Sequence, residues 1–255
     1  MLTTGLTTVL DLVLPQTCAG CGAGGARWCA GCHAELVGAP ARRSPEPVPD
    51  GLPDCWSAAP YEGAVRRAVV AYKERGAVAL AEVLAEAVAF TIVTAVNGVT
   101  AVHDTMAVHD TTAVNGVMAV HDTTAPWAGG RFAVVPVPSA RRTRRHRGHD
   151  PVGRLAVLAA GRLRAWGLRA ETWPALGQAR RVADQAGLSS AERSSNLAGS
   201  LRVRRTPKGP PVACAVLLDD IVTTGATLVE AARALSSAGV RVPLAATVAA
   251  TRRRS

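Results

Sequence analysis

The stretch Ala215-Val216-Leu217-Leu218-Asp219-Asp220-Ile221-Val222-Thr223-Thr224-Gly225-Ala226-Thr227 constrains the fold of this chain most tightly. Four apolar residues run into two adjacent carboxylates. A hydroxyl-rich turn with one glycine follows, and then apolar residues at helical spacing from Leu228 to Ala238. The pattern reads as a buried parallel strand whose end delivers two acids. Behind the acids, a tight loop of backbone N–H groups sits at the positive end of a helix. Carboxylates suit sugar hydroxyls and an N–H loop suits a phosphate, so the segment reads as a holder of a phosphorylated sugar. Gly225 lets the backbone approach its ligand with no Cβ in the way. The plain alternative is a strand–turn–helix whose acids only cap the helix. A cap accounts for one acid, but not for two followed by Thr-Thr-Gly-Ala-Thr.

The region around this segment alternates between strand and helix patterns. Phe132 to Val137 reads as a strand and Pro151 to Trp166 as an amphipathic helix. Leu168 to Leu176, Ala198 to Val203, Val212 to Leu218 and Val240 to Ala250 read as further strands, with a loop from Gly177 to Ser195. Such alternation implies an α/β fold with a parallel sheet flanked by helices. Right-handed crossovers then gather the strand C-termini on one edge, where ligands bind at the switch point. Residues 126–255 are the expected core. Upstream, residues 56–93 read as helical, with apolar residues three and four apart from Gly63 to Lys73 and again from Val78 to Phe90. Residues 39–55 read as a Pro- and Arg-containing linker.

Residues 94–125 hold an anomaly. From Ala95 to Thr124 the chain repeats a hexapeptide five times: AVNGVT, AVHDTM, AVHDTT, AVNGVM, AVHDTT. A six-residue period is too short for an ordinary solenoid coil, and the expectation is weak strands or a loop. His103, His109 and His121 each precede an aspartate, but nothing in the pattern fixes a metal geometry.

Residues 1–38 combine an apolar leading segment with two cysteine knuckles. Met1 to Leu14 lacks a basic n-region and a small-residue cleavage site, so it reads as a short amphipathic helix and the protein as cytoplasmic. Cys18-Ala-Gly-Cys21 and Cys29-Ala-Gly-Cys32 can present four thiolates to one tetrahedral ion, which closes the shell of a structural Zn²⁺. Disulfide pairing is the alternative, disfavoured without a secretory signal. His33 reads as a bystander and Cys214 as a small core residue.

The formal charge is +10 in 255 residues, almost all of the basic side chains being arginine. Such an excess favours anionic partners: polyphosphates, nucleotides or nucleic acid. The clusters lie at Arg141 to Arg147, Arg202 to Lys208 and Arg252 to Arg254, the last reading best as a solvated tail. No uninterrupted apolar run reaches the roughly 18–20 residues of a membrane span.

The segment from Ala215 to Thr227 resembles the phosphoribosyl-pyrophosphate motif of type I phosphoribosyltransferases. The chain as a whole resembles the competence-associated ComF family, in which a zinc ribbon precedes a phosphoribosyltransferase domain. That resemblance rests on Leu10 to Pro15, Tyr61-Glu62-Gly63 and Tyr72-Lys73-Glu74-Arg75-Gly76. It also rests on Val134-Val135-Pro136-Val137-Pro138 followed by Arg147-Gly148, on Gln185 with Gly187-Leu188-Ser189, and on Arg193 and Asn196-Leu197. The chain departs from the family at His149, a position often aromatic, and at Cys55, which stands where further CxxC pairs are common.

The resemblance implies that Asp219 and Asp220 hold the ribose hydroxyls, directly or through Mg²⁺, and that Thr223, Thr224, Gly225, Ala226 and Thr227 wrap the 5-phosphate. It implies that Lys73 and the Arg147-Gly148 loop serve the pyrophosphate, with Arg141, Arg142, Arg144 and Arg145 as a basic funnel. Gln185, Arg193 and Asn196 are implied for the covering loop. The implied activity is transfer of phosphoribose to a nitrogenous base with release of pyrophosphate. The alternative is a non-catalytic binder of phosphoribosyl pyrophosphate that supports competence or DNA uptake through partner proteins.

Overall fold

The structure is a computed structural model that describes residues 16–38, 40–104, 130–138, 150–180, 196–204 and 211–252. In chain order these form helix α1 (Ala30–Val37), strands β1 (Ala41–Arg42) and β2 (Asp54–Pro60), and helix α2 (Gly63–Glu74). A 3-10 turn at Val78–Leu80 leads into α3 (Ala81–Asp104). Then come β3 (Arg131–Pro136), α4 (Pro151–Ala165), β4 (Arg169–Thr172), β5 (Leu176–Gln178), β6 (Leu201–Val203), β7 (Cys214–Val222), α5 (Ala226–Ser236) and β8 (Arg241–Ala250).

Six strands make one sheet in the order β1-β2-β8-β7-β3-β4. All neighbours are parallel except the edge pair β1/β2. The fold is therefore mixed α/β, with the mostly parallel central sheet that the strand–helix alternation implied. Strand residues alternate between two buried faces, as a period of two requires. Val134, Val216, Leu218 and Leu244 lie in the core shared with α2, α3 and α4. Val135, Leu217 and Ala245 lie in the core shared with Leu228, Ala231 and Leu235 of α5. Burying each Val or Leu contributes about 1.5–3 kcal/mol, so a strand apolar at successive positions is held from both sides.

The chain leaves β3 for α4 on one face and leaves β7 for α5 on the other. A crevice therefore opens between the carboxyl ends of these neighbouring strands. The β3 ladder ends at the pair Pro136–Leu218, whereas β7 continues beside β8 to the pair Val222–Ala250. Asp219 and Asp220 thus lie just past the end of β3, at the mouth of the crevice. The helix of the β3 crossover has its own start signal: Asp150 accepts the Gly153 N–H at 3.0 Å, with Pro151 in the first turn.

The structure corrects several expectations. Residues 56–60 are not helical but belong to β2, which joins the sheet next to β8. Its Ser57 and Thr247 hydroxyls satisfy one another at 2.7 Å in the interior, which lets a polar pair occupy the core. The linker at residues 39–55 supplies strand β1 and the start of β2. The single strand expected from Leu168 to Leu176 is two, β4 and β5, the second pairing only with β6 in a small separate sheet. The central strand runs four residues past Leu218, so both acids are strand residues.

Helix α3 continues through the first hexapeptide and into the second, ending at Asp104. Ala95 and Val96 are fully buried there, so tertiary packing overrides the weak β signal of the repeat. The remaining hexapeptides and the leading segment lie outside the described residues. The stretch Val78–Asn97 is long and apolar enough to cross a membrane by length and composition, with mean hydropathy 1.9. Some 56% of it is buried against the protein's own core, where it acts as the central helix of one layer.

Candidate functional site

The two carboxylates leave β7 on opposite faces, because adjacent strand residues must. Asp220 shares its face with Leu218 and points toward the layer of α2. There the Lys73 ammonium lies 2.7 Å from Oδ2 and 3.0 Å from Oδ1, hydrogen-bonding to the latter. Asp220 is almost wholly buried, with 5% of its side chain exposed against 27% for Lys73. An acid so covered must be paired, and a lysine 147 positions earlier supplies the charge. Lys73 is held in place by its neighbour: Tyr72 is fully buried and its hydroxyl donates to the Pro151 carbonyl at 2.8 Å. Burial raises the Tyr72 phenol to about 12, so it stays a donor.

Asp219 is half-buried on the other face, and its Oδ1 accepts the backbone N–H of Asp220 at 2.8 Å. Desolvation raises its carboxyl well above the usual carboxylate range, and the adjacent Asp220 charge raises it further. Lys73 and the Asp220 N–H pull it back only in part. An arrangement that holds two acids side by side at a cost is typical of a binding site for cations or hydroxyls.

Past the acids, Thr223 is exposed, Thr224 and Thr227 are half-buried, and Gly225 and Ala226 are buried. Gly225 is the N-cap of α5, with φ +74°, and no side chain caps the helix. The first-turn N–H groups of α5 therefore face the loop, where a phosphate would meet them. A Cβ on Gly225 would lie 3.0 Å from Leu52 Cδ1 and 3.3 Å from the Pro45 and Pro49 Cγ atoms. A proline-rich strap between β1 and β2 thus packs over the loop, which the linker reading missed. Its signal was available: four prolines and Leu52 immediately before an apolar strand. The far end of the assembly is anchored by Glu230. This buried carboxylate accepts the Leu201 N–H at 2.9 Å and pairs with Arg233 at 2.7 Å.

Of the other expected residues, Arg147, Gly148, Gln185 and Arg193 lie outside the described residues, as do Arg141, Arg142, Arg144 and Arg145. Asn196 stands just before Leu197, and its carbonyl accepts from Arg180 at 2.8 Å.

The second site is the cysteine cluster. The Sγ atoms of Cys18, Cys21, Cys29 and Cys32 all lie within 4.8 Å of one another. Cys18 and Cys32 are 3.7 Å apart and Cys21 and Cys29 are 3.6 Å apart, too far for disulfides. Four sulfurs at about 2.3 Å from a tetrahedral Zn²⁺ would be about 3.8 Å from each other, so the donor set fits a structural zinc. Burial pushes the Cys18 thiol up, but N–H groups of Cys21, Cys29 and Gly20 outweigh it and leave the thiol at about 6. That favours the thiolate at Cys18, whereas burial and then the neighbouring thiols push Cys32 up. Gly20 is required here, because a Cβ would come within 2.6 Å of Cys32 Sγ.

The cluster docks on the body of the protein. Ala64 packs with Cys18 and Cys32, the Glu35 carboxylate accepts the Ala64 N–H at 3.3 Å, and Arg67 donates to the Gly20 carbonyl. Leu36 of α1 is fully buried in the main core. One helix, α2, therefore carries the cysteine corner at its first turn and Lys73 at its last, about 14 Å away. The chain matches no protein-family model and no curated protein.

Proposed function

We propose that this protein binds phosphoribosyl pyrophosphate with Mg²⁺ at Asp219, Asp220 and the loop from Thr223 to Thr227, and transfers the phosphoribosyl group to a nitrogenous base. The observation that carries the reading is the coincidence of three features at one switch point. Two adjacent carboxylates, an uncapped helix N-terminus and a lysine from another layer converge where β3 ends. The sequence resemblance to the ComF family and to type I phosphoribosyltransferases gives the same answer. A type I phosphoribosyltransferase fold is part of the proposal.

The chain's own residues have separable roles. Asp219 and Asp220 orient the ribose hydroxyls. The N–H groups and threonine hydroxyls of the loop fix the 5-phosphate, and binding energy remote from the reacting carbon is available for orientation. Lys73 offers positive charge next to the acids, on the side where the leaving group gathers negative charge. The two carboxylates match the oxygen preference of Mg²⁺, which when bound would neutralise the pyrophosphate. The fold-independent part of the cofactor reading is the structural Zn²⁺ of the cysteine corner.

The test is titration of phosphoribosyl pyrophosphate into the protein with Mg²⁺, together with pyrophosphate release in the presence of purine, pyrimidine and pyridine bases. Asp220→Asn should weaken binding by tenfold to a hundredfold, the worth of a charge-assisted contact of about 1.5–3 kcal/mol. Unchanged affinity would sink the site. Binding without release of pyrophosphate from any base would leave a ligand-binding accessory protein.

A further inference from the structure

A cavity of about 900 Å³ opens beside the phosphate loop, between the proline-rich strap and the end of β8. Its walls include Arg42 and Arg43 from the strap's start, Glu46, the loop residues Thr223 and Thr224, and Arg252 just past β8. That volume suits a whole small-molecule substrate rather than a lone ion. Arg42 is paired with Asp54, so the basic character of the cavity rests on Arg43 and Arg252.

Two of the arginines are placed by the fold. Arg43 Nη1 donates to the Ser57 carbonyl of β2 at 2.6 Å, and its backbone N–H bonds the Cys55 carbonyl at 2.9 Å. Arg252 follows Thr251, whose N–H bonds the Val222 carbonyl at 3.0 Å, so the C-terminal end of β8 is tied to the end of β7. Arg42 is engaged elsewhere, with Asp54 at 2.7 Å, and Arg252 reaches Glu62 only at 3.8 Å, where both are largely exposed. Burial, and then the nearby Arg252 charge, lower the Arg43 guanidinium. Two like charges held near each other are relieved by an anion between them.

We propose that this cavity is the acceptor subsite and that the acceptor is acidic, a nitrogen heterocycle carrying a carboxylate that Arg43 and Arg252 clamp. The inference rests on the proposed phosphoribosyl transfer for the word acceptor; the anion-selective cavity stands without it. Sharing Thr223 and Thr224 with the phosphate loop puts the acceptor beside the sugar phosphate. A guanidinium fork matches a planar carboxylate bidentately, as it does a phosphate, and the phosphate already has its own loop in this reading.

The experiment is calorimetric titration of the full chain with pyridine and pyrimidine carboxylates and with their uncharged carboxamides, first alone and then with phosphoribosyl pyrophosphate and Mg²⁺ present. At least one carboxylate should bind tenfold or more tightly than its carboxamide. Arg252→Gln, on an exposed side chain, and Arg43→Gln should each remove that preference while leaving phosphoribosyl-pyrophosphate affinity within twofold. Equal binding of acids and amides would overturn the proposal, and so would competition between the carboxylate and phosphoribosyl pyrophosphate. Failure of phosphoribosyl pyrophosphate itself to bind, with carboxylate selectivity intact, would instead refute the transferase reading and leave the anion cavity standing.

Discussion

The cysteine corner and the carboxylate edge lie at opposite ends of helix α2 and are built by opposite strategies. The corner takes all four thiols from fifteen consecutive residues, and two knuckle turns suffice to bring them within 4.8 Å. The edge gathers its parts from across the chain: two acids from β7, a lysine from α2, an uncapped turn before α5 and a strap between β1 and β2. The corner is thus a local structure that can assemble once its metal is present, whereas the edge exists only when the sheet is complete. The corner gives α2 a fixed start, and the edge uses the end.

The largest effect should come from breaking the corner. Cys32→Ser removes a buried ligand, and structural zinc contributes on the order of 10 kcal/mol in isolated zinc-binding peptides. Because Leu36, Ala64 and the first turn of α2 pack with the cluster, the damage should spread into the main core. We expect loss of bound metal by elemental analysis and a destabilisation of several kcal/mol in urea unfolding. A metal-free variant with unchanged stability would mean that the corner is only an appendage.

Next in size is Gly225→Val, which strikes the edge through its backbone. A β-branched residue at φ +74° costs about 1–2 kcal/mol, and a side chain forced against Leu52, Pro45 and Pro49 costs about 1–3 more. We expect a loss of about 2–5 kcal/mol in denaturant unfolding, with the cysteine corner still retaining its metal. Loss of metal from this variant would show that the two sites do not assemble separately.

The same contrast explains what could be read from sequence. The corner was legible because its chemistry and spacing are contained in one segment. The core strand and α5 were legible because an apolar run bounded by acids and a Thr-Thr-Gly turn has few other solutions. Strand β2 was not, since Trp56 to Pro60 is a short apolar run beside a strong helical pattern, and period alone does not separate the two. The extension of α3 into the hexapeptides was hidden for a related reason: Ala95 and Val96 are buried by neighbours that are remote in sequence. Lys73 could be connected with the phosphate site only by resemblance. Its contact with Asp220 is a property of the packed layers. The strap arginines looked like linker charge until the fold returned the end of β8 beside them.

The smallest effect is the most diagnostic for the edge, because its sign is opposite to the others. Asp219 has a raised carboxyl in the folded protein, chiefly from desolvation and then from the Asp220 charge. A group whose folded pKa lies above its unfolded value stabilises the protein fully at pH below the unfolded value near 4. That contribution is lost as pH rises through the folded value. At neutral pH the carboxyl of Asp219 therefore opposes folding. Asp219→Asn keeps an oxygen to accept the Asp220 N–H and removes the charge, so its melting temperature should exceed that of the parent at pH 7. The gain should shrink as pH falls and vanish near pH 3. Mg²⁺ with phosphoribosyl pyrophosphate should raise the melting temperature of the parent and not of the variant. A variant less stable than the parent at pH 7 would mean that Asp219 is held for structure, and the carboxylate edge would then resemble the cysteine corner more closely than its packing suggests.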